Sequence, residues 1–110
     1  MYISITGLTP RNFWARLRFW RFAIPSFKQA QQAKGNAYCQ VKKIGVYQCT
    51  LTAWNSREDM LNFLRSGTHL KAMKAFHSIA KGKTYGYESE AIPTWEEAFE
   101  LLERLGKNYD

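Results

Sequence analysis

"NAYCQVKKIGVYQCTLTAW", residues 36–54, consists of two alternating runs separated by a single turn. In the first run Ala37, Cys39 and Val41 alternate with Tyr38, Gln40 and Lys42. In the second, Tyr47, Cys49, Leu51 and Ala53 alternate with Gln48, Thr50, Thr52 and Trp54. A period of two is the signature of a half-buried strand, and the short spacer around Ile44–Gly45 predicts an antiparallel hairpin. A turn centred on Ile44 sets Cys39 opposite Cys49, Val41 opposite Tyr47 and Ala37 opposite Leu51, which gathers the apolar residues on one face. The other face then carries Tyr38, Gln40, Gln48, Thr50, Thr52 and Trp54, uncharged except for Lys42. A surface of that kind suits a pocket lining or a subunit interface.

Outward from the hairpin, "YISIT" reads as a strand with Ile3 and Ile5 on one face, followed by a turn at residues 7–10. "RNFWARLRFWRFA" places Phe13, Leu17, Trp20 and Ile24 at helical spacing, with Trp14, Phe19 and Phe22 widening the apolar side. Pro25 predicts a break, so the helical region 11–34 is expected in two pieces, the second capped by Ser26 and stopped at Gly35. Ser56 and Asp59 open a second helix whose inward residues are Met60, Phe63 and Leu64. Thr68 caps a continuation to about residue 80, and "KGKTYGYES" forms a last strand. Thr94 and Glu97 make a capping box for a C-terminal helix at about 94–105, with Trp95, Ala98, Leu102 and Leu105 as its stripe and Gly106 as its stop. The order β-α-β-β-α-β-α predicts an α+β, ferredoxin-like split βαβ unit with an added C-terminal helix. Residues 1–110 are expected to form a single domain, and 110 residues suit one core.

The net charge of +7 is unevenly distributed. Residues 1–56 carry eight Lys and Arg and no Asp or Glu, whereas residues 57–110 carry eight Lys and Arg against nine Asp and Glu. This asymmetry points either to an anionic partner or simply to one basic half of a surface. "RNFWARLRFWRFAIPSF" interleaves Arg with Trp and Phe, as interfacial membrane helices do, so peripheral membrane contact is one expectation. No nucleic-acid motif is present. Two cysteines are too few for a disulfide framework, and "MYISITG" lacks the pattern of a signal peptide. The expected setting is therefore the reducing cytoplasm, with both thiols unbridged.

Two further stretches carry a resemblance. "TLTAWNSREDMLNFLRSGTHLKAMKAF" and "IPTWEEAFELLERLGK" resemble bacterial proteins of the dimeric α+β barrel superfamily, which includes the antibiotic-biosynthesis monooxygenase-like proteins. The elements carrying it are Trp54, Phe63, the run Ser66 to His69, Ala72–Met73 and Pro93 to Ala98, and it covers residues 36–107. The resemblance implies a homodimer and a pocket between sheet and helices. That superfamily spans cofactor-free oxygenases, haem-binding enzymes, isomerases and non-catalytic members.

His69, Ala72, Met73 and Phe76 share one helical face at i, i+3, i+4 and i+7, so the His69 imidazole is expected to point toward the sheet. A helix N-terminus disfavours imidazolium, and a neutral ring there accepts a proton or ligates haem. The simpler reading is a buried ring bonded to backbone or to Thr52. His69 is the catalytic candidate, and the haem-binding one if haem is present. Trp54, Thr52, Met73, Phe76 and Tyr85 are candidates for contacting substrate, with Thr50 as a further hydroxyl. No Cys-x-x-Cys, phosphate loop or metal-ligand spacing occurs. The expected ligand is a small hydrophobic or aromatic molecule, handled without a cofactor. The competing expectation is a non-catalytic dimer that binds haem or an anionic surface.

Overall fold

The computed structural model describes residues 1–65 and 80–109. These form β1 (Tyr2–Pro10), α1 (Phe13–Gln32), β2 (Asn36–Ile44), β3 (Tyr47–Trp54), α2 (Arg57–Leu64), β4 (Ala80–Glu88), α3 (Trp95–Leu105) and β5 (Lys107–Tyr109). The five strands make one antiparallel sheet in the order β2-β3-β1-β4-β5. The first four strands have the ferredoxin-like arrangement expected from the sequence. The short β5, which follows the C-terminal helix and extends the β4 edge, was not expected.

β1 is the central strand and its alternation divides the molecule. Ile3 and Ile5 pair with Ala53 and Leu51 on β3 and with Tyr87 and Tyr85 on β4. All four apolar members pack with Ala98 and Leu102 of α3 in one buried cluster. The capping box holds as predicted: the Glu97 N–H donates to Thr94 Oγ1 at 3.2 Å and the Thr94 N–H donates to Glu97 Oε1 at 3.3 Å. Leu105 departs from the predicted stripe and is exposed, because α3 ends at the sheet edge and only Ala98 and Leu102 are fully covered. Tyr2, Ser4 and Thr6 point to the opposite face, which α1 and α2 cover.

The hairpin register differs from the expectation. Ile44 pairs with Tyr47 across a two-residue turn in which Gly45 takes φ +59°, a conformation glycine adopts without a Cβ clash. Cys39 therefore faces Thr52, Val41 faces Thr50 and Lys42 faces Cys49. An odd shift of register exchanges the faces of a whole strand. Cys39 and Val41 join Thr50, Thr52 and Trp54 beneath α1, while Tyr38 moves to the α3 side. A bulge between Asn36 and Tyr38 accommodates Ala37, which has no direct partner.

α1 brings two corrections. It is one continuous helix through Pro25, capped by Asn12, whose Oδ1 accepts from the Ala15 N–H at 2.8 Å. Pro25 is exposed, so the carbonyl that loses its donor lies on the water side, where the loss costs least. The helix also turns a different face inward. Ala15, Phe19, Ser26 and Ala30 are buried, whereas Phe13, Leu17, Trp20 and Ile24, the expected core stripe, are exposed. β1 likewise continues through Gly7 to Pro10 where a turn was expected, pairing with β4 over its full length.

The register is open to a direct check. Mild oxidation of the native protein should give no Cys39–Cys49 bridge within one chain, because the two side chains lie on opposite faces of the sheet. The urea-unfolded chain should form it readily, and a bridge detected by peptide mapping in the native state would contradict the register.

Candidate functional site

Between α1 and the sheet lies an open cavity of about 810 Å³. Small-molecule sites typically fall between about 300 and 1,000 Å³. The sheet supplies a floor of short hydroxyl side chains: Ser4 and Thr6 from β1, Thr50 and Thr52 from β3, and Thr84 from β4. The roof is largely apolar, with Phe19, Ala23, Ile24 and Phe27 of α1, and Ser26 and Lys28 of the same helix also border the cavity. Met60, Phe63 and Leu64 of α2 also line it. Residue size contributes to the cavity: the short threonine and serine side chains of the floor do not fill the gap to α1, and Ala23, Ser26 and Ala30 add little bulk between its larger rings.

Trp54 is almost fully buried and fixed on two sides. Its Nε1–H donates to Thr52 Oγ1 at 2.9 Å, and the Thr52 hydroxyl donates to the Ser4 carbonyl at 3.4 Å. Its ring stacks on Phe63 with centroids 5.2 Å apart and planes inclined by 26°. Trp54 is thus a rigid inner wall of the cavity. The Thr84 hydroxyl donates to the Ile5 carbonyl at 3.3 Å. Tyr2 lies across β4 at Gly86, where a Cβ would collide with the tyrosine hydroxyl, so glycine is what lets that ring sit against the sheet.

Ser26 stands apart from these satisfied groups. It is 8% exposed, borders the cavity, and its Oγ has no hydrogen-bond partner among the described residues. A helix serine usually bonds back to the carbonyl four residues earlier. A buried hydroxyl left unpaired costs roughly 1–3 kcal/mol. An oxygen or nitrogen atom of a ligand in the cavity would relieve that cost.

The thiols are not activated. Burial raises Cys39, on the cavity floor, and Cys49, on the α3 side of β3, each from 9.0 to about 11. Both are unbridged and stay protonated at neutral pH, which makes them poor nucleophiles. Among the described residues, no group of three His, Cys, Asp or Glu side chains converges on a common point.

Of the residues expected from the sequence, Trp54, Thr52 and Thr50 line this cavity. Tyr85 also borders it through its strand, but its ring lies on the α3 face. There it stacks on Tyr87 at 5.5 Å. Its neighbour Thr84 supplies the hydroxyl on the cavity side. His69, Met73 and Phe76 lie outside the described residues. The sequence reading missed Ser26, Thr84 and Tyr2. Strand alternation opposite Ile3 and Tyr85 would have given Tyr2 and Thr84, whereas Ser26 carried no signal once it was read as a cap.

No protein-family model and no curated relative matches the chain by sequence. Solved structures do match. One is described as a presumed antibiotic biosynthesis monooxygenase of Deinococcus radiodurans, at 18% identity and TM-score 0.71, covering 86% of this chain and 98% of that one. SnoaB of Streptomyces nogalater, described as a cofactor-independent oxygenase, matches at 9% identity and TM-score 0.67, covering 84% and 97%. Rv0793 of Mycobacterium tuberculosis matches at 8% identity and TM-score 0.72, covering 86% and 100%. At such identities the likeness establishes the fold: this chain has the ferredoxin-like fold of the antibiotic biosynthesis monooxygenase-like proteins.

The Trp54–Thr52 contact predicts a specific cost. Thr52→Val keeps the side-chain shape but leaves the buried indole N–H without its acceptor. Urea denaturation should show a loss of about 1–3 kcal/mol, against a negligible change for Thr9→Val, whose hydroxyl bonds at the surface.

Proposed function

We propose that this protein binds a small hydrophobic or aromatic molecule in the cavity beneath α1 and acts on it as a monooxygenase-like enzyme. The observation that carries the reading is the unpaired Ser26 hydroxyl in a cavity with an apolar roof. Apolar walls with a few oriented polar groups are the usual composition of a ligand site. The oxygenase described for one structural neighbour needs no cofactor, and the chain carries no flavin or nucleotide motif of its own.

The chemistry suits an electron-rich substrate that bears an acidic C–H beside an aromatic ring. Removal of a proton yields an anion that transfers electrons to dioxygen. Conversion of a CH₂ group to a carbonyl consumes one O₂, with one oxygen atom retained in the product and the other released as water. Ser26 would donate to the substrate oxygen on which negative charge gathers, and the apolar roof would keep water from quenching the anion. His69 is the proposed proton acceptor, on the strength of its sequence position alone. Haem ligation by the same residue is the competing role. We take the working unit to be a homodimer, a reading supported by the exposed Val46 at the hairpin turn.

Oxygen-electrode assays with a panel of polycyclic phenols test this reading. A substrate should consume one O₂ per product, with Ser26→Ala raising KM and His69→Ala lowering kcat by roughly 10²–10⁴-fold. Binding without oxygen uptake across the panel would leave a carrier, not an enzyme. No binding at all would remove the proposal.

A further inference from the structure

The outer side of α1 is not accounted for by the cavity. Phe13, Leu17, Trp20 and Ile24 follow one another at i, i+4, i+7 and i+11 and form a single stripe, exposed along its whole length. Phe13 is 66% exposed and the adjoining Trp14 73%, values at which large apolar rings meet water directly. On the helical wheel Arg16 flanks this stripe on one side, and Arg21 and Lys28 flank it on the other, all three exposed. Residues 1–56 contain no acid, and Glu58 and Asp59 of α2 and the glutamates of α3 all lie in the second half of the sequence.

We propose that α1 docks this protein in the plane of an anionic lipid surface. An apolar stripe rich in Trp and Phe, bordered on both sides by Arg and Lys, is what the boundary between headgroups and acyl chains accommodates. Rings enter the boundary while the cations remain at the phosphate level. Among the described residues no helix is long and apolar enough to cross a membrane, so the contact is peripheral. A second copy of the chain fits less well, because a helix with this many cations and no acid of its own would meet its own charge in any self-complementary pairing.

Trp20 and Ile24 belong both to the stripe and to the cavity lining. A docked α1 therefore sets the open side of the cavity against the lipid, and the ligand would be a molecule dissolved in the bilayer. That corollary rests on the pocket reading, whereas the docking itself does not. Vesicle binding is measured without any ligand, so the two can fail separately.

The test is co-sedimentation of the full chain with vesicles of phosphatidylcholine alone or mixed with phosphatidylserine. Two variants accompany it: Phe13→Ser with Leu17→Ser, and Arg16→Glu with Arg21→Glu. None of these residues lines the cavity. Circular dichroism confirms folding, and light scattering gives the oligomeric state. The native chain should bind the mixed vesicles, weaken as salt is raised, and barely bind the neutral ones. Each cation near an anionic leaflet contributes about five-fold in affinity, so the arginine variant should lose at least about 25-fold. The serine variant should lose at least ten-fold or so, through buried apolar area. Failure to bind mixed vesicles overturns the proposal, as does equal binding by the variants. A smaller species for the serine variant assigns the stripe to a second copy and overturns it too. Vesicle binding that is absent while duplex DNA or RNA binding is lost in the arginine variant assigns the basic face to nucleic acid instead.

Discussion

The alternation of β1 between its two neighbours is the constraint on which the rest of the molecule depends. β1 is bonded to β3 on one side and β4 on the other, so its side chains cannot change faces without breaking two ladders at once. Ile3 and Ile5 commit one face of the sheet to apolar packing, and α3 completes that layer with Ala98 and Leu102. Tyr2, Ser4 and Thr6 commit the other face to a different chemistry. Short hydroxyl side chains cannot fill the distance to a helix, and Ala23, Ser26 and Ala30 of α1 leave gaps between its larger side chains. One side of the sheet is a dense core and the other a cavity for the same reason.

That cavity has a rigid part and an unsatisfied part. Trp54, Thr52, Ser4 and Phe63 form a linked set of a stack and two hydrogen bonds, which fixes the inner wall in advance of any ligand. Ser26 contributes a donor that the fold leaves unused. Rigid walls with a few oriented polar groups hold a ligand at little entropic cost. Cys39 on the cavity floor, held protonated, adds bulk without adding a competing nucleophile.

Much of this was legible in the residues, and the misreadings share a cause. Strand and helix types followed from period two and period 3.6, and both the Ser56 cap and the Thr94–Glu97 box were readable because capping depends on local spacing alone. The hairpin register was not readable, since a turn centred on Ile44 and a two-residue turn with Gly45 at positive φ differ in backbone geometry and not in pattern. The orientation of α1 misled for a related reason. The helix is apolar over most of its circumference, and hydrophobicity ranks Trp20 and Leu17 above Ala15, Ser26 and Ala30, although the smaller residues face the sheet. Ser26 was hidden behind Pro25, whose ability to sit inside a helix depends on an exposure no sequence pattern gives. Tyr85 was assigned by its hydroxyl when its strand parity placed Thr84 on the cavity side instead.

The central claim is that the space beneath α1 holds one small apolar molecule per chain. Native mass spectrometry of the protein mixed with a polycyclic phenol tests it most directly, with Ala23→Trp and Thr50→Phe as variants that fill the space from the roof and from the floor. The account predicts one bound molecule per chain in the native protein and none in either variant, with both variants folded. Equal occupancy in the native and filled proteins would contradict it and place the ligand elsewhere on the surface.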